Sequence, residues 1–490
     1  MNERPASEKS GQGLTEAWRE YFRKAAFEVP AHPAAREFLE RDLRATLGRW
    51  IPADASVLDV GCGTGELLAS LPNRERVGVA SSPELAAEAR RRHPDLTIES
   101  AEDSAEDSVE TESLPPGRRF DAVICNRLCH SVADVRKLLV DLRERVSEGG
   151  RVFLVSYNYL WEVPARLAEF AGLKLPAPTS NWLSHSDFEN LFDITGLETV
   201  RFEDRMILPS DVPGLSQLLN RYVGKLPGCQ RLSMYRIYAL RRREDVSEAC
   251  KVSVSVIVPT RNEAGNVEAA IARTPAMGTG TELIFVEGGS NDGTWETIDR
   301  AMKSYRGPLK LSAYQQQGKG KGDAVRLGFG KARGDVLMIL DADLTVPPEE
   351  LPVFYDVIAR GLGDYVQGTR LVYPMDPGAM RFFNKLGNIA FSQLFTYLLQ
   401  QPIKDTLCGT KVLWRRDYER IAAGRHFFGD FDPFGDFDLI FGAAKLNLKI
   451  VEVPVRYRER VYGETNISRW KHGWLLLKMS GVAARKLRYV

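Results

Sequence analysis

The sequence lacks a hydrophobic run long enough to cross a bilayer, and its first residues, Met1–Gly13, lack the apolar core of a signal peptide. Only 6 cysteines occur in 490 residues, and none of them stands in the C-x-x-C spacing of a zinc site. Net charge is almost absent, because 66 Lys and Arg residues balance 65 Asp and Glu residues and give no overall attraction to nucleic acid. These absences predict a cytoplasmic protein with reduced thiols that binds no nucleic acid.

The chain does contain enough apolar residues for large cores, since 44% of its residues are hydrophobic and 27% are charged. A length of 490 residues is typical of two or three domains. Residues 1–13 are polar, which predicts disorder. The charged stretch Arg241–Lys251 has no apolar periodicity and separates two apolar strands. We therefore predict domains at residues 14–243 and 252–490, joined by a linker at residues 244–251.

The first half contains a strand, a glycine turn and a helix in sequence at Ser56–Leu71 (SVLDVGCGTGELLASL). Glycines in such a turn let a ligand approach the backbone, and the following helix begins with unpaired N–H groups. The form D-x-G-x-G-x-G directly after a strand resembles motif I of the class I S-adenosylmethionine-dependent methyltransferases. The dinucleotide fingerprint has a different spacing, G-x-G-x-x-G. The order of strands and helices up to Arg242 also resembles that family.

This resemblance implies a Rossmann-like methyltransferase fold with S-adenosylmethionine as its cofactor. It implies that the methionine part of the cofactor lies among Asp59, Gly61, Gly63 and Gly65, and that the adenine lies near Glu102 or Asp103.

One residue departs from the family pattern. Ala80 stands where the second strand usually ends in an acid that binds the ribose hydroxyls. Losing such a charge-assisted hydrogen bond costs about 1.5–3 kcal/mol. Two alternatives follow: an active methyltransferase in which Ser81 or Ser82 replaces the acid, or a non-catalytic module that docks or regulates the second domain.

Transfer of a methyl group to an oxygen is helped by a general base, and a histidine is suited to that role near neutral pH. His130 follows the predicted fourth strand, Phe120–Cys125, at the point where an acceptor would enter, and His185 is a second imidazole. The alternative interpretation of His130 is a packed or helix-capping residue.

The second half is organised around Val336–Thr345 (VLMILDADLT), in which two carboxylates follow a buried strand. Side chains alternate faces in extended backbone, so Asp341 and Asp343 face the same way. Hard divalent cations prefer carboxylate oxygens, and a cation held by one or two of them still binds a diphosphate. The sequence therefore predicts a site for Mg²⁺ or Mn²⁺ at Asp341 and Asp343.

Four stretches occur in a fixed order along this half: VIVPTRNE, FVEGGSNDGT, GKGDAVRLGF and LDADLT. Together they resemble the family 2 glycosyltransferases with the GT-A fold, over about Val252–Tyr489. The resemblance implies a nucleotide diphosphate sugar as the donor. The residues implied to bind it are Pro259, Arg261, Glu263, Glu287, Lys319, Asp323 and Asp341. Glu287 and Gly288 replace two aspartates of the family, which leaves the nucleotide base open.

Further segments resemble the dolichyl- and polyprenyl-phosphate sugar transferases within family 2. They are Asp364–Tyr373, Arg381–Gly387, Asp405–Val412 and Arg458–Ile467. Their cations suit the oxygens of an acceptor phosphate, namely Arg370, Arg381, Lys385, Arg458 and Arg460. A phosphate with a second pKa of about 6 is largely an anionic nucleophile near neutral pH, which predicts inversion by direct displacement.

A sugar hydroxyl is the alternative acceptor, because Thr465 and Asn466 replace the serine and lysine of the polyprenyl-phosphate enzymes. Such an acceptor must lose a proton to a carboxylate, and Asp436 or Asp438 in FGDFDL is the candidate. A turn and a helix cap are the structural alternative for that pair.

Two apolar segments, Phe382–Leu399 and Trp470–Met479, are either core helices or interfacial helices that bring the enzyme to a lipid-linked acceptor. The second interpretation predicts peripheral contact with the inner face of the membrane. The fusion of two domains predicts that methylation acts in the same glycan pathway as sugar transfer.

Overall fold

The computed structural model describes residues 11–27, 33–100, 117–243, 250–370, 382–427, 436–456, 462 and 477–489. The chain divides between residues 243 and 244 into two compact units. Each unit contains one seven-stranded sheet with helices, so both are α/β.

The first unit begins with two helices and continues with strands and helices in alternation. Its strands are β1 (Val57–Val60), β2 (Arg76–Ala80), β3 (Thr97–Ser100), β4 (Phe120–Asn126), β5 (Val146–Tyr157), β6 (Leu197–Arg205) and β7 (Tyr235–Arg242). Its helices are α1 (Gly11–Phe27), α2 (Pro33–Trp50), α3 (Glu66–Ala69), α4 (Pro83–Arg92), α5 (Val135–Arg145), α6 (Glu162–Phe170), α7 (His185–Thr195) and α8 (Leu215–Arg221).

The sheet of the first unit has the order β3-β2-β1-β4-β5-β7-β6. Strand β1 runs parallel to both β2 and β4, whereas β7 runs antiparallel to β5 and β6. From β1 the chain first adds β2 and β3 on one side of the sheet and then adds β4 on the other side. The topological switch point therefore lies between β1 and β4. Ligands of open α/β sheets bind outside the carboxyl ends of the strands at such a switch point. The loops after β1 and β4 are accordingly the place to look for a site.

The side chains of β1 alternate between the two faces of the sheet and contribute apolar residues to the core on each face. Val57 belongs to the core on one face, whereas Leu58 and Val60 belong to the core on the other. All four residues of the strand are buried, as expected for a parallel strand covered on both faces.

The second unit repeats the alternation of strands and helices. Its strands are β8 (Val254–Thr260), β9 (Thr281–Glu287), β10 (Lys310–Gln315), β11 (Val336–Ile339), β12 (Tyr365–Thr369), β13 (Lys411–Trp414) and β14 (Ile450–Pro454). Its helices are α9 (Val267–Arg273), α10 (Thr294–Ser304), α11 (Lys321–Lys331), α12 (Leu351–Ala359), α13 (Phe382–Leu399), α14 (Arg415–Ala423) and α15 (Asp436–Lys445). A further helix spans 477–483.

The second sheet has the order β10-β9-β8-β11-β13-β12-β14. Strand β11 runs parallel to β8 and antiparallel to β13. The switch point of this sheet lies between β8 and β11, so the loops after these two strands meet at one edge.

Helix α13 is one of the two segments for which core and interfacial interpretations were open. In its second half, Phe395, Leu398 and Leu399 are fully or almost fully buried in the core of the unit. The core interpretation therefore holds for this half of the helix. Of the other segment only residues 477–479 are described, and Met479 is buried. No helix in the described part of the chain is both long enough and apolar enough to cross a membrane.

Candidate active sites

The two carboxylates of the second unit follow directly after β11, whose four residues are all buried. The N–H of Leu340 donates to the carbonyl oxygen of Ile257 at 2.9 Å and so continues the pairing with β8. Thr345 donates to Asp343 Oδ1 from its N–H at 3.1 Å and from its hydroxyl at 2.9 Å. Leu344 has a φ of 52°, a left-handed conformation that costs energy in a residue with a branched side chain. A short, strained turn thus carries both carboxylates, and the prediction that they lie in extended backbone is wrong because the strand ends at Ile339.

Lys321 lies beside Asp341, with 2.6 Å between Nζ and Oδ1. The motif predicts the neighbouring Lys319 as a donor ligand and not Lys321, although both belong to the basic run KGKG. Burial raises the pKa of Asp341, but Lys321, Lys411 and Arg370 lower it more strongly, and the net shift is downward. Asp341 is therefore a stable anion at neutral pH.

The loop at residues 405–410 lies against this carboxylate. A Cβ atom added to Gly409 would lie 1.9 Å from Asp341 Oδ2 and 2.5 Å from Lys321 Nζ. Only glycine allows the backbone to come so close to both charged groups. The segment DTLCGT, for which the sequence suggested only an acceptor site, thus forms one wall of the site at Asp341.

Arg370, a predicted ligand of the acceptor phosphate, is buried and holds Asp405 at the start of this loop. Its Nε and Nη2 donate to the two carboxylate oxygens at 2.7 and 2.8 Å, and Asn388 Nδ2 donates to the same group at 2.8 Å. Burial raises the pKa of Asp405, but the ion pair with Arg370 outweighs it and lowers the pKa to about 2. In the structure Arg370 therefore positions the loop, and a role toward an acceptor phosphate stays a prediction.

The loops after β8 and β9 are joined by hydrogen bonds. Asn262, with a left-handed φ of 55°, donates its N–H to Ser290 Oγ at 2.9 Å and accepts from the N–H of Asn291 at 2.9 Å. Glu263 and Glu287 are both buried, and Glu287 Oε1 accepts from the N–H of Ser290 at 2.6 Å. The two loops form one surface beside the switch point.

The remaining residues predicted to bind the donor lie around that surface. Pro259 is the penultimate residue of β8, Arg261 is exposed in the following loop, and Lys319 is exposed before α11. Asp323 is an acid in the first turn of α11, and a Cβ on Gly318 would lie 2.4 Å from its Oδ1. Asp292, which the sequence analysis did not choose, accepts from the N–H of Ala264 at 3.1 Å and thus joins the same two loops.

Asp438, the candidate base for a hydroxyl acceptor, lies between two guanidinium groups. Its Oδ2 accepts from Arg425 Nε at 2.6 Å and lies 3.7 Å from Arg326 Nη2. The carboxylate is buried, which is typical of an ion pair that holds helices together. The structure thus gives Asp438 a structural role, although this role is an ion pair and not the predicted turn or helix cap.

Several other predicted site residues, or their side chains, lie outside the described part of the chain. Outside the described residues lie Glu102, Asp103, Arg381, Arg458 and Arg460. Helices α13 and α15 include Lys385 and Asp436, whose side chains are outside the description.

In the first unit, the predicted glycine turn follows β1. Gly61, Gly63 and Gly65 have φ values of 77°, 57° and 88°, a region that L side chains rarely adopt. The N–H groups of Gly61 and Cys62 donate to the carbonyl oxygen of Val79 at 2.9 and 3.0 Å, so the turn lies over the end of β2. A Cβ on Gly63 would meet nothing within 4 Å, which leaves its backbone open to a ligand. Asp59 is buried at the end of β1.

Ala80 is fully buried at the end of β2 and provides no side-chain oxygen there. Ser82, one of its two predicted substitutes, is the N-cap of α4 and accepts from the N–H of Leu85 at 3.3 Å. Ser81 is half-buried beside it. The structure thus commits Ser82 to the helix and leaves Ser81 as the substitute.

His130 lies in a short turn after β4 and is buried. Its Nε2 accepts the N–H of Tyr157 at 2.9 Å, and because a backbone N–H can only donate, the ring proton is on Nδ1. Burial lowers the pKa of His130 to about 4, so the ring is neutral at pH 7. The only ring lone pair of a neutral imidazole, here on Nε2, then already accepts a hydrogen bond. This arrangement argues against the predicted role of His130 as a general base. Nδ1 has no hydrogen-bond partner among the described residues and is a donor.

Aromatic and charged side chains surround this histidine. The rings of Tyr157 and Trp182 each have their centroids 5.4 Å from that of His130. Arg127, with a φ of 63°, donates to the hydroxyl of Tyr157 at 2.9 Å and forms an ion pair with Glu40 of α2. The turn after β4 thus combines apolar ring faces with hydrogen-bond donors.

Residues 31–201 match the family model of a methyltransferase domain, and residues 255–421 match that of glycosyl transferase family 2. The chain joins a methyltransferase domain to a family 2 glycosyltransferase domain. Both resemblances derived from the motifs, and the fold class they imply, are thereby confirmed.

Known relatives match the glycosyltransferase domain. The dolichol-phosphate mannosyltransferase of Pyrococcus furiosus is 29% identical over 255 residues, which are 49% of this chain and 67% of that protein. The undecaprenyl-phosphate 4-deoxy-4-formamido-L-arabinose transferase of Pectobacterium atrosepticum is 28% identical over 220 residues, or 44% of this chain and 63% of that protein. Across the first curated relatives, the chain covers between 51% and 69% of their own length.

Among solved structures, the chain is similar to glucosyl-3-phosphoglycerate synthase from Mycobacterium tuberculosis in complex with Mn²⁺, uridine diphosphate and glucosyl-3-phosphoglycerate. The TM-score is 0.36 and the sequence identity 18%, over 48% of this chain and 80% of that one.

Proposed function

We propose that the glycosyltransferase domain transfers a sugar from a nucleotide diphosphate sugar to a polyprenyl phosphate, with inversion at the sugar carbon. The observation that carries this proposal is the position of Asp341 and Asp343 at the switch point of the sheet, with Lys321 beside them. The curated relatives named above act on dolichol and undecaprenyl phosphates, which supports the choice of acceptor.

The residues at this switch point fit a divalent cation. Within the described ranges, no group of three or more His, Cys, Asp or Glu residues is arranged to hold a metal, so the protein offers two carboxylates from one turn. Mg²⁺ is commonly bound in this way, by one or two carboxylates with substrate phosphates and water as the other ligands. Asp341 and Asp343 would hold the cation, which supplies charge to neutralise the departing diphosphate.

A phosphate acceptor agrees with the electrostatics of the domain. Because its second pKa is about 6, the acceptor is already an anion near pH 7 and needs no base. Asp438, the described candidate for a base, is held in an ion pair with Arg425. A hydroxyl acceptor would require a carboxylate free of such pairing.

For the first domain, we propose S-adenosylmethionine as the methyl donor and an oxygen of the same glycan as the acceptor. The left-handed glycines after β1 fit a cofactor that approaches the backbone, whereas Ala80 gives no carboxylate for its ribose. The rings of Tyr157 and Trp182, which lie beside His130, suit the apolar face of a sugar.

Transfer of labelled sugar tests the glycosyltransferase proposal. UDP-, GDP- and dTDP-sugars are incubated with polyprenyl phosphate and Mn²⁺ or Mg²⁺, and the products are extracted into organic solvent. We expect label in the organic phase with wild type and none with Asp343→Ala. Asp299→Ala, which removes an exposed carboxylate from α10, is the matched control and retains transfer. Incorporation only into a water-soluble glycan would instead support the hydroxyl acceptor.

A further inference from the structure

The methyltransferase domain exposes a row of apolar side chains along α6 and the turn before it. The exposed fractions are 48% for Tyr159, 65% for Val163, 62% for Leu167 and 93% for Phe170. Spacings of four, four and three residues place these side chains on one helix face. No residue of α6 is buried, so this face has no partner in the described part of the chain.

The apolar row continues onto a neighbouring turn. Trp161 Nε1 donates to the carbonyl oxygen of Leu232 at 3.0 Å, and Asn158 Nδ2 donates to that of Ser233 at 2.9 Å. These bonds hold the turn beside α6, and its Leu226 and Leu232 are 48% and 59% exposed. We call the combined set the α6 surface; it consists of Tyr159, Leu160, Val163, Leu167, Phe170, Leu226 and Leu232. A group of exposed apolar side chains of this kind marks a site of contact with another molecule or with a membrane.

The charges around the α6 surface favour an anionic partner. Within and just after α6, Glu162 is paired with Arg166 at 2.5 Å and Glu169 with Lys174 at 2.6 Å, so neither acid presents unbalanced charge. Arg231, next to Leu232, is exposed and has no ion pair with any described residue. Arg231 therefore adds one unbalanced positive charge beside the surface.

We propose that the α6 surface is the membrane-contact surface of the protein and inserts into the headgroup region of an anionic lipid bilayer. Aliphatic side chains, an aromatic residue with a polar tip, here Tyr159, and an exposed arginine at the margin are typical of interfacial helices. The proposal rests on the proposed function only in that a polyprenyl phosphate resides in a bilayer.

The structure thus assigns membrane contact to a part of the chain that the sequence did not indicate. Of the two apolar segments predicted from the sequence, α13 buries Phe395, Leu398 and Leu399 in the core of the glycosyltransferase domain, and most of Trp470–Met479 lies outside the described residues. The α6 surface lies in the methyltransferase domain, and its residues are already exposed.

Cosedimentation with vesicles tests this assignment. The full chain is mixed with phosphatidylcholine vesicles, with and without phosphatidylglycerol, in the absence of any polyprenyl phosphate. We expect the wild type to sediment with the anionic vesicles, and Leu167→Asp and Phe170→Asp to reduce the partition coefficient by about tenfold or more each, because a charge replaces an inserted apolar group. Ile194→Asp is the matched control, since Ile194 lies on α7 with 60% exposure, and its partition should equal that of wild type.

Two outcomes would overturn the assignment. One is equal sedimentation of wild type and the α6 variants. The other is a wild-type dimer, seen by light scattering without lipid, that Leu167→Asp converts to a monomer, because a second copy would then cover the surface. Circular dichroism and thermal unfolding of each variant show whether it is folded.

A second assay separates this proposal from the proposed function. Transfer is measured to a short-chain, water-soluble isoprenyl phosphate and to polyprenyl phosphate in vesicles. The α6 variants should retain the first activity and lose the second. Absence of the first activity in wild type would reject the proposed function, while the sedimentation result would still decide the role of the α6 surface.

Discussion

At the scale of single residues, the most telling position in the glycosyltransferase domain is a glycine. Gly409 has no left-handed φ, so its replacement by alanine strains no backbone, but the new Cβ would displace the Asp341 carboxylate and the Lys321 ammonium. We expect Gly409→Ala to raise the Mn²⁺ concentration needed for half-maximal transfer by about tenfold, equivalent to about 1.4 kcal/mol. Titration of the transfer rate with Mn²⁺ measures the effect.

The matched control is Gly387→Ala in α13, where a Cβ would meet nothing within 4 Å. Its Mn²⁺ titration should coincide with that of wild type. If Gly409→Ala also leaves the titration unchanged, Asp341 is not a ligand of the metal.

His130 gives a prediction about stability and pH. Its pKa is about 4 in the folded protein and about 6.5 in the unfolded chain, so only the unfolded chain takes up this proton between these values. Stability from the neutral ring is therefore complete above about pH 6.5 and is lost as pH falls toward 4, by about 3 kcal/mol in total. Urea unfolding of the first domain at pH 7.5 and 4.5 measures this loss.

His130→Gln is the comparison, because its side-chain oxygen can accept from Tyr157 as Nε2 does and does not titrate. We expect the variant to lose less stability than wild type on acidification. His185, whose pKa is also lowered by burial, contributes equally to both proteins. If the free energies of unfolding of the two proteins change with pH in parallel, the pKa of His130 is not lowered in the folded state.

At the scale of elements, a buried charge network joins α2 to the sheet of the methyltransferase domain. Lys225, in the turn after α8, forms an ion pair with Glu203 of β6, which also accepts from Arg205 Nη1 at 2.8 Å. Arg205 in turn donates to Asp42 of α2 at 2.6 and 2.8 Å. The side chains of Lys225, Glu203 and Arg205 are at most 8% exposed.

Removal of one charge from this network should lower the stability of the domain. We expect Lys225→Met to lower the free energy of unfolding by about 3–5 kcal/mol, since Glu203 would keep its buried charge with one partner fewer. Arg91→Met, which breaks an ion pair at a 72% exposed side chain, should change it by less than about 1 kcal/mol. Urea unfolding of both variants tests the difference, and equal effects would contradict it.

Most elements were predictable because they follow local patterns. The predicted strand Phe120–Cys125 is observed as Phe120–Asn126, and the buried strand predicted before Asp341 is observed as Val336–Ile339. Apolar periodicity, glycine turns and capping residues determine such elements within one window of sequence. The two carboxylates and the glycine turn of the candidate sites belong to this class.

Long-range contacts explain what the sequence could not predict. Lys321 and Asp341 are 20 residues apart in sequence, and the packing of α11 on β8, the neighbour of β11, brings them together. Arg370 and Asp405 are also distant in sequence and meet only in the folded domain. The sequence therefore suggested a phosphate-binding arginine at a position where the fold forms an ion pair. The tautomer of His130 depends on the N–H of Tyr157, which β5 supplies.

At the scale of the whole molecule, the two domains have separate sheets and separate candidate sites. We therefore expect loss of cofactor binding in one to leave sugar transfer in the other unchanged. Gly63→Ala places a side chain at a φ of 57° and should weaken binding of S-adenosylmethionine, measured by calorimetry. Gly48→Ala, where a Cβ meets nothing within 4 Å and φ is not left-handed, is the control. A parallel loss of sugar transfer in Gly63→Ala would favour the regulatory-module alternative.

The central claim is that the acceptor of sugar transfer is a lipid phosphate. The most direct measurement compares two acceptors that differ only in that group, polyprenyl phosphate and the corresponding polyprenol, with the donor identified in the panel and Mn²⁺ present. The account predicts labelled lipid with the phosphate and none with the alcohol, because Asp438, the candidate base whose side chain is described, is held in an ion pair with Arg425. Equal transfer to the alcohol would contradict it and would point to a carboxylate that deprotonates the acceptor.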